Sequence, residues 1–207
     1  MRKMIDLFPT PFLLCRSLIP RELVDSLVAR ALATNKQDNV RTGLLSHTEM
    51  VGPETEPLFR EVVSAVLPEV EHYGEQLLGD KFRWTVKEMW MNVLERGGSQ
   101  FMHTHANSFV SGIVYLSELD PSARTIFSKS PGANEFIFKH DAAEGKANKY
   151  NAERWMAPDV KPGDLVLYPS YLLHGVPPNQ GGQRISLALN AIPDRLKSFG
   201  YEVSFAP

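Results

Sequence analysis

The spacing of apolar residues along the chain changes character near position 82. Before it, Leu23, Leu27, Val28 and Ala31 recur at helical intervals after Pro20. A proline suits a first helical turn because its missing N–H would have no partner there. Leu58, Val62, Val66, Val70, Tyr73 and Leu77 form a second stripe, which predicts a helix over 56–78 that Pro68 kinks or divides. Residues 35–54 are polar and glycine-containing, have no period, and read as loop. After 82, Trp84, Val86 and Trp90 alternate with Thr85, Lys87 and Met89, a period of two. Strand-like runs follow at 108–117, 124–128, 135–139, 164–168 and 184–191. Pro131-Gly132, Pro162-Gly163, Pro177-Pro178 and Gly181-Gly182 break the chain between them. Helices first and then short strands predict a mainly β fold, an antiparallel sandwich or jelly roll buttressed by N-terminal helices. Segment 140–154 is polar and reads as a mobile loop of the kind that covers sites.

The 207 residues suit one core, so 1–207 reads as a single domain, with 1–81 as the helical buttress and 82–195 as the jelly-roll core. Twenty-two Lys+Arg stand against 24 Asp+Glu, a formal net charge of −2. That balance gives no support for a nucleic-acid binder, which needs a basic excess or stripe. A lone cysteine, Cys15, excludes an internal disulfide and any thiolate-only metal cage. No apolar run approaches the length of a membrane span. Asp6 and Pro9 interrupt the segment after Arg2 and Lys3, which does not read as a secretion signal. The expectation is a cytoplasmic protein, with homo-oligomerisation left open.

Six histidines are present: His47, His72, His103, His105, His140 and His174. In an extended strand His103 and His105 point to one face, so both imidazoles can meet one ion. His174 follows a strand-like run and precedes Gly175. Three nitrogen donors with coordination positions to spare describe a catalytic metal site. Without thiolates they suit Fe, Zn, Ni or Cu. His47, His72 and His140 read as solvated or core side chains. Ten residues after His174, Arg184 and Ser186 share one face of the last strand. A guanidinium fork with a neighbouring hydroxyl fits a carboxylate bidentately, and inside a sheet such an Arg needs an anion.

His103-Thr104-His105, SGIVYL (Ser111–Leu116), PGDLVLYPSYLLHGVPPN (Pro162–Asn179) and RISLALN (Arg184–Asn190), in that order and spacing, resemble the 2-oxoglutarate- and Fe(II)-dependent oxygenases. The nearest group is bacterial and phage, related to prolyl hydroxylases. The resemblance covers 84–192, and LFPTPF (Leu7–Phe12) resembles that group's opening. It implies a double-stranded β-helix, a form of jelly roll. It implies Fe(II) bound by His103 and His174, with 2-oxoglutarate as cofactor and O2 as cosubstrate. It implies that Arg184 and Ser186 hold the distal carboxylate of 2-oxoglutarate, and that the Tyr115 hydroxyl also reaches it. The expected activity is oxidative decarboxylation of 2-oxoglutarate to succinate coupled to hydroxylation of a substrate. Trp90, Asn92 and Tyr171 are candidates for its binding.

The chain departs from the family at one position. Most relatives carry Asp or Glu where this chain has His105. With three neutral imidazoles, the dianion alone balances the ion's charge. His105 is taken first as the third ligand. Two alternatives keep water in that position, or make His105 the first ligand with Asn107 as a weak oxygen donor. Two other functions stay open: a cupin-like three-histidine iron dioxygenase without a keto acid, and a non-catalytic jelly roll that binds ligands or serves a structural role. Arg184 and Ser186 argue against the cupin-like reading, whose reaction has no carboxylate to hold.

Overall fold

The computed structural model describes residues 1–34, 36–38, 42–130 and 148–206. The strand expected at 135–139, His140 and the first half of the expected loop at 140–154 lie outside the described residues. Among the described residues two α-helices, α1 (Arg21–Ala33) and α2 (Pro57–Leu78), and a short 3-10 turn at Pro121–Ala123 accompany thirteen strands. These are β1 (Leu13–Cys15), β2 (Gln37–Asp38), β3 (Leu45–His47), β4 (Trp84–Leu94), β5 (Gln100–His103), β6 (Val110–Tyr115), β7 (Ile126–Ser128), β8 (Arg154–Met156), β9 (Leu165–Pro169), β10 (Leu173–Val176), β11 (Arg184–Pro193), β12 (Arg195–Ser198) and β13 (Tyr201–Ser204).

The strands form a seven-stranded sheet in the order β1-β9-β6-β11-β4-β3-β2, a four-stranded sheet in the order β5-β10-β7-β8, and a β12-β13 hairpin. Each pairing among the described residues is antiparallel. Neighbours distant in sequence, such as β4 with β11, show the crossovers of a jelly roll. The fold is mainly β with a helical layer.

Alternation along the central strands divides the large sheet into two faces. Met89, Met91 and Val93 of β4, with Ile185, Leu187 and Leu189 of β11, pack in one cluster with Leu27 of α1 and Phe59, Val62, Val66 and Val70 of α2. The other face carries Trp90, Asn92, Ile113, Tyr115, Arg184 and Ser186 toward the four-stranded sheet. The helices therefore bury the outer face of the large sheet and leave its inner face for a site.

The helices begin and end where the sequence suggests. The Pro20 carbonyl accepts from Leu23 and Val24, and Pro57 sits in the first turn of α2. Gly79, at φ 74°, caps α2 in the left-handed region, its N–H donating to Glu75 O. Pro68 does not divide α2, which runs unbroken for 22 residues. An interior proline costs about 3 kcal/mol. Burying one valine returns about 1.5–3 kcal/mol, and Val62, Val66 and Val70 are all fully buried.

The segment 35–54, expected as loop, contains β2 and β3. Short strands carry no period, and β3 gains its order by pairing with β4, Leu45 opposite Leu94. For the same reason β1, β8, β10 and the β12-β13 hairpin escaped the sequence pattern. Residue 154, the end of the expected loop at 140–154, opens β8, which pairs with β7. Among the described residues no helix is long and apolar enough to cross a membrane.

Gly74 of α2 lies directly against the Trp84 indole ring. Gly74→Ala improves helix propensity by about 1 kcal/mol, but its methyl group overlaps the ring, and overpacking costs about 1–3 kcal/mol. A net loss of stability is expected in urea unfolding; a gain would show that α2 is free to shift.

Candidate metal and carboxylate site

The site lies between the two sheets. In the four-stranded sheet, His103 at the end of β5 stands directly opposite His174 of β10. This register brings residues 71 positions apart in sequence to adjacent strands. His105 lies beyond β5, so its place does not follow from strand alternation as expected. Its backbone N–H donates to Ser170 O at 3.0 Å, which turns the chain so that its ring faces the other two. One nitrogen from each of the three rings lies within 4.8 Å of the others. His105 Nε2 and His174 Nε2 are 3.3 Å apart, close to the separation of about 3 Å expected for adjacent ligands at ordinary metal–nitrogen distances.

Backbone carbonyls orient two of the rings. His103 Nδ1 donates to Phe101 O and His174 Nδ1 to Leu172 O, each at 2.8 Å. Each Nε2 is left with its lone pair toward the cavity. The Tyr168 hydroxyl donates to His174 Nε2 at 3.0 Å. Burial depresses His174 to about 3 and His105 to about 4, and in both the neighbouring His103 adds to the effect. Both rings are therefore neutral near pH 7, as metal ligation requires. Burial raises Tyr168 above the ordinary phenol range, so it is a neutral donor.

The second half of the site comes from the inner face of the large sheet. Arg184 is 4 % exposed. Its Nη1 donates to Ser186 Oγ and its Nη2 to Thr125 Oγ1, both at 3.3 Å, and its Nε is buried without a partner. Tyr115 is fully buried, with its ring centroid 5.7 Å from the guanidinium and its hydroxyl 3.3 Å from Thr125 Oγ1. Burial pulls the Arg184 pKa down, and no carboxylate pairs with it among the described residues. A sealed cation held by hydroxyls alone is a receptor for an anion.

The cavity wall includes the three histidines, Arg184, Ser186, Trp90 and Asn92. Trp90 stands 5.7 Å from His105, ring to ring. Tyr171 lies elsewhere, 61 % exposed, in an adjoining cleft of about 590 Å³ that shares His105 and is also lined by Thr104 and Phe109. His47 and His72 stand apart from the cluster. Thr125, Tyr168, Glu88 and Asn190 were not anticipated. The last two share strand parity with residues that were: Glu88 with Trp90 and Asn92, Asn190 with Arg184 and Ser186.

A family model described as "Putative 2OG-Fe(II) oxygenase" matches residues 88–190, a span holding the three histidines, Tyr115, Arg184 and Ser186. No curated protein shows a sequence match to the chain. Among solved structures, HygX from Streptomyces hygroscopicus, with nickel and 2-oxoglutarate bound, superposes with a TM-score of 0.66 at 16 % identity, covering 89 % of this chain and 83 % of that one. A Pseudomonas putida prolyl-4-hydroxylase gives 0.59 at 17 % identity, covering 87 % and 92 %. The viral collagen prolyl hydroxylase of Paramecium Bursaria Chlorella virus-1, a 2-oxoglutarate complex, gives 0.55 at 10 % identity, covering 87 % and 94 %. These likenesses show a common fold. Together with the match across the jelly-roll core, they make this chain a member of the 2-oxoglutarate- and Fe(II)-dependent oxygenases.

Proposed function

We propose that this oxygenase holds Fe(II) with His103, His174 and His105, and grips the distal carboxylate of 2-oxoglutarate with Arg184 and Ser186. The observation that carries the proposal is Arg184, a buried guanidinium that has, among the described residues, an unpartnered Nε and no acidic neighbour. Its fork fits a carboxylate, and the three-imidazole donor set fits a borderline transition ion. HygX was solved with both a metal and 2-oxoglutarate, which agrees with assigning both groups to one cavity here.

Fe(II) with 2-oxoglutarate and O2 supplies oxidative decarboxylation to succinate coupled to hydroxylation of a substrate. The chain's own residues orient and enclose. The Phe101 and Leu172 carbonyls keep the proton on Nδ1 of His103 and His174, so that Nε2 stays a lone-pair donor. Thr125 and Tyr115 place hydroxyls beside Arg184. Ile113, Val166, Phe127 and Tyr168 pack as an apolar cluster on the inner side and exclude water. Trp90 and Asn92 line the approach to the histidines, and Tyr171 flanks the adjoining cleft; these three are assigned to the substrate. The unit acts as one domain over 1–207 in the cytoplasm, on a small molecule or a protein side chain rather than nucleic acid.

Anaerobic addition of Fe(II) and 2-oxoglutarate is expected to give a weak visible charge-transfer band, and oxygen then to release succinate. Iron uptake without the band would favour the cupin-like alternative, and no uptake a non-catalytic jelly roll. His174→Ala is expected to lose iron; unchanged iron content overturns the ligand set. Arg184→Ala is expected to weaken 2-oxoglutarate binding by about 2–5 kcal/mol, the scale for removing one partner of a buried charge pair, while metal binding is retained. Unchanged affinity overturns the carboxylate assignment.

The metal-free protein is also expected to lose stability as pH falls from the ordinary imidazole value of 6.5 toward 4. In that window the unfolded chain takes up protons at 105 and 174 while the folded chain does not, so acid favours unfolding. Chemical denaturation across that range checks it; a flat profile would mean that the rings titrate normally.

A further inference from the structure

Asn190 lies on the inner face of β11, 1 % exposed, and its side-chain amide touches three groups. Ser111 Oγ donates to its Oδ1 at 2.7 Å. Its Nδ2 donates to Glu88 Oε1 at 2.7 Å, and the same nitrogen lies 3.3 Å from His105 Nδ1. Lys87 Nζ, 3.0 Å from Glu88 Oε1, holds Glu88 as a carboxylate. A carboxylate only accepts, so the amide atom facing it must be nitrogen. Turning the amide over would set oxygen against oxygen at Glu88 and cost Ser111 its 2.7 Å acceptor.

The orientation of Asn190 decides where the His105 proton resides. A neutral imidazole has one donor and one acceptor nitrogen. With an amide N–H aimed at Nδ1, Nδ1 accepts and Nε2 carries the proton. The arrangement is compatible with the rest of the cluster: His105 Nε2 faces His174 Nε2 at 3.3 Å, an acceptor that it shares with the Tyr168 hydroxyl at 3.0 Å. His103 and His174 thus turn lone pairs toward the cavity, whereas His105 turns an N–H toward it. Both tautomers of His105 carry the same charge, so no titration is involved.

We propose that Asn190, oriented by Glu88, is a positioning residue that holds His105 in its Nε2-protonated tautomer. His105 can then bind a metal through Nε2 only by giving up the hydrogen bond from Asn190. His103 and His174 form the strong pair of the site, and the third ligand is held in reserve by this polar contact. The metal consequence rests on the reading of the cluster as a metal centre; the tautomer itself does not.

Long-range 1H–15N correlation spectra of the full-length, metal-free chain with 15N-labelled histidine test the tautomer directly. His105 is expected to be protonated on Nε2, and His103 and His174 on Nδ1; a His105 proton on Nδ1 overturns the proposal. The double change Glu88→Gln with Asn190→Asp keeps an amide–carboxylate contact between the two positions but reverses the polarity that 190 presents to His105. It is expected to move the His105 proton to Nδ1 and to tighten Co(II) binding about tenfold or more, the scale of contacts that orient a metal's ligands, followed by Co(II) absorption. A moved proton with unchanged Co(II) affinity overturns the reserve-ligand role. If neither protein takes up Co(II) while the wild-type tautomers are as expected, the metal reading fails and the tautomer assignment stands.

Discussion

A positive charge with no acidic partner among the described residues is sealed between the two sheets of this sandwich, and most of the inner face is arranged around it. Arg184 would cost several kcal/mol to bury alone. Three hydroxyl-bearing residues, Ser186, Thr125 and Tyr115, surround the guanidinium and offset part of that cost. What they leave unsatisfied is specific: a forked donor without a counter-anion among the described residues, in the same cavity as three imidazoles. Chelation of a metal by one end of a small diacid and capture of its other end by Arg184 would satisfy both at once.

The sheet can carry this polar interior because its two faces are energetically separate. On the outer face, Met89, Met91, Val93, Leu187 and Leu189 pack against α1 and α2 and supply burial that the inner face lacks. Gly112 of β6 would place a Cβ within 2.7 Å of Leu167, which shows how closely the apolar layer is filled. Strand alternation makes the division possible, since each residue committed to the helices leaves its neighbour free for the site. A bulge in β4, which leaves Lys87 without a partner on β11, shifts this alternation next to Glu88, so that Val86 joins the apolar layer while Glu88 pairs with Asn190.

Residues around the rings control how the histidines behave. Carbonyls of Phe101 and Leu172 direct two of them, while an amide tied to Glu88 directs the third. A histidine rather than an acidic residue at 105 therefore alters more than charge. It brings in a ring with two possible proton positions, and the surrounding hydrogen bonds choose between them.

The amino-acid sequence by itself determined the periodicities: two apolar stripes that became α1 and α2, and the alternations that became β4, β6, β9 and β11. It also contained the donors, in an order and spacing from which His103, His174, Arg184 and Ser186 could be named. Short strands were illegible because two to four residues hold no period; β3 and β10 gain their order from partners far along the chain. Tertiary structure alone decided which residues meet. The β5-β10 register set His103 against His174, a turn anchored on Ser170 brought in His105 from outside the strand, and Tyr171 fell into a neighbouring cleft. Thr125, Tyr168 and the Glu88–Asn190 pair joined the site through contacts across strands. Periodicity is a local property and can be read residue by residue, whereas a binding site is a set of distances between segments that only folding brings together.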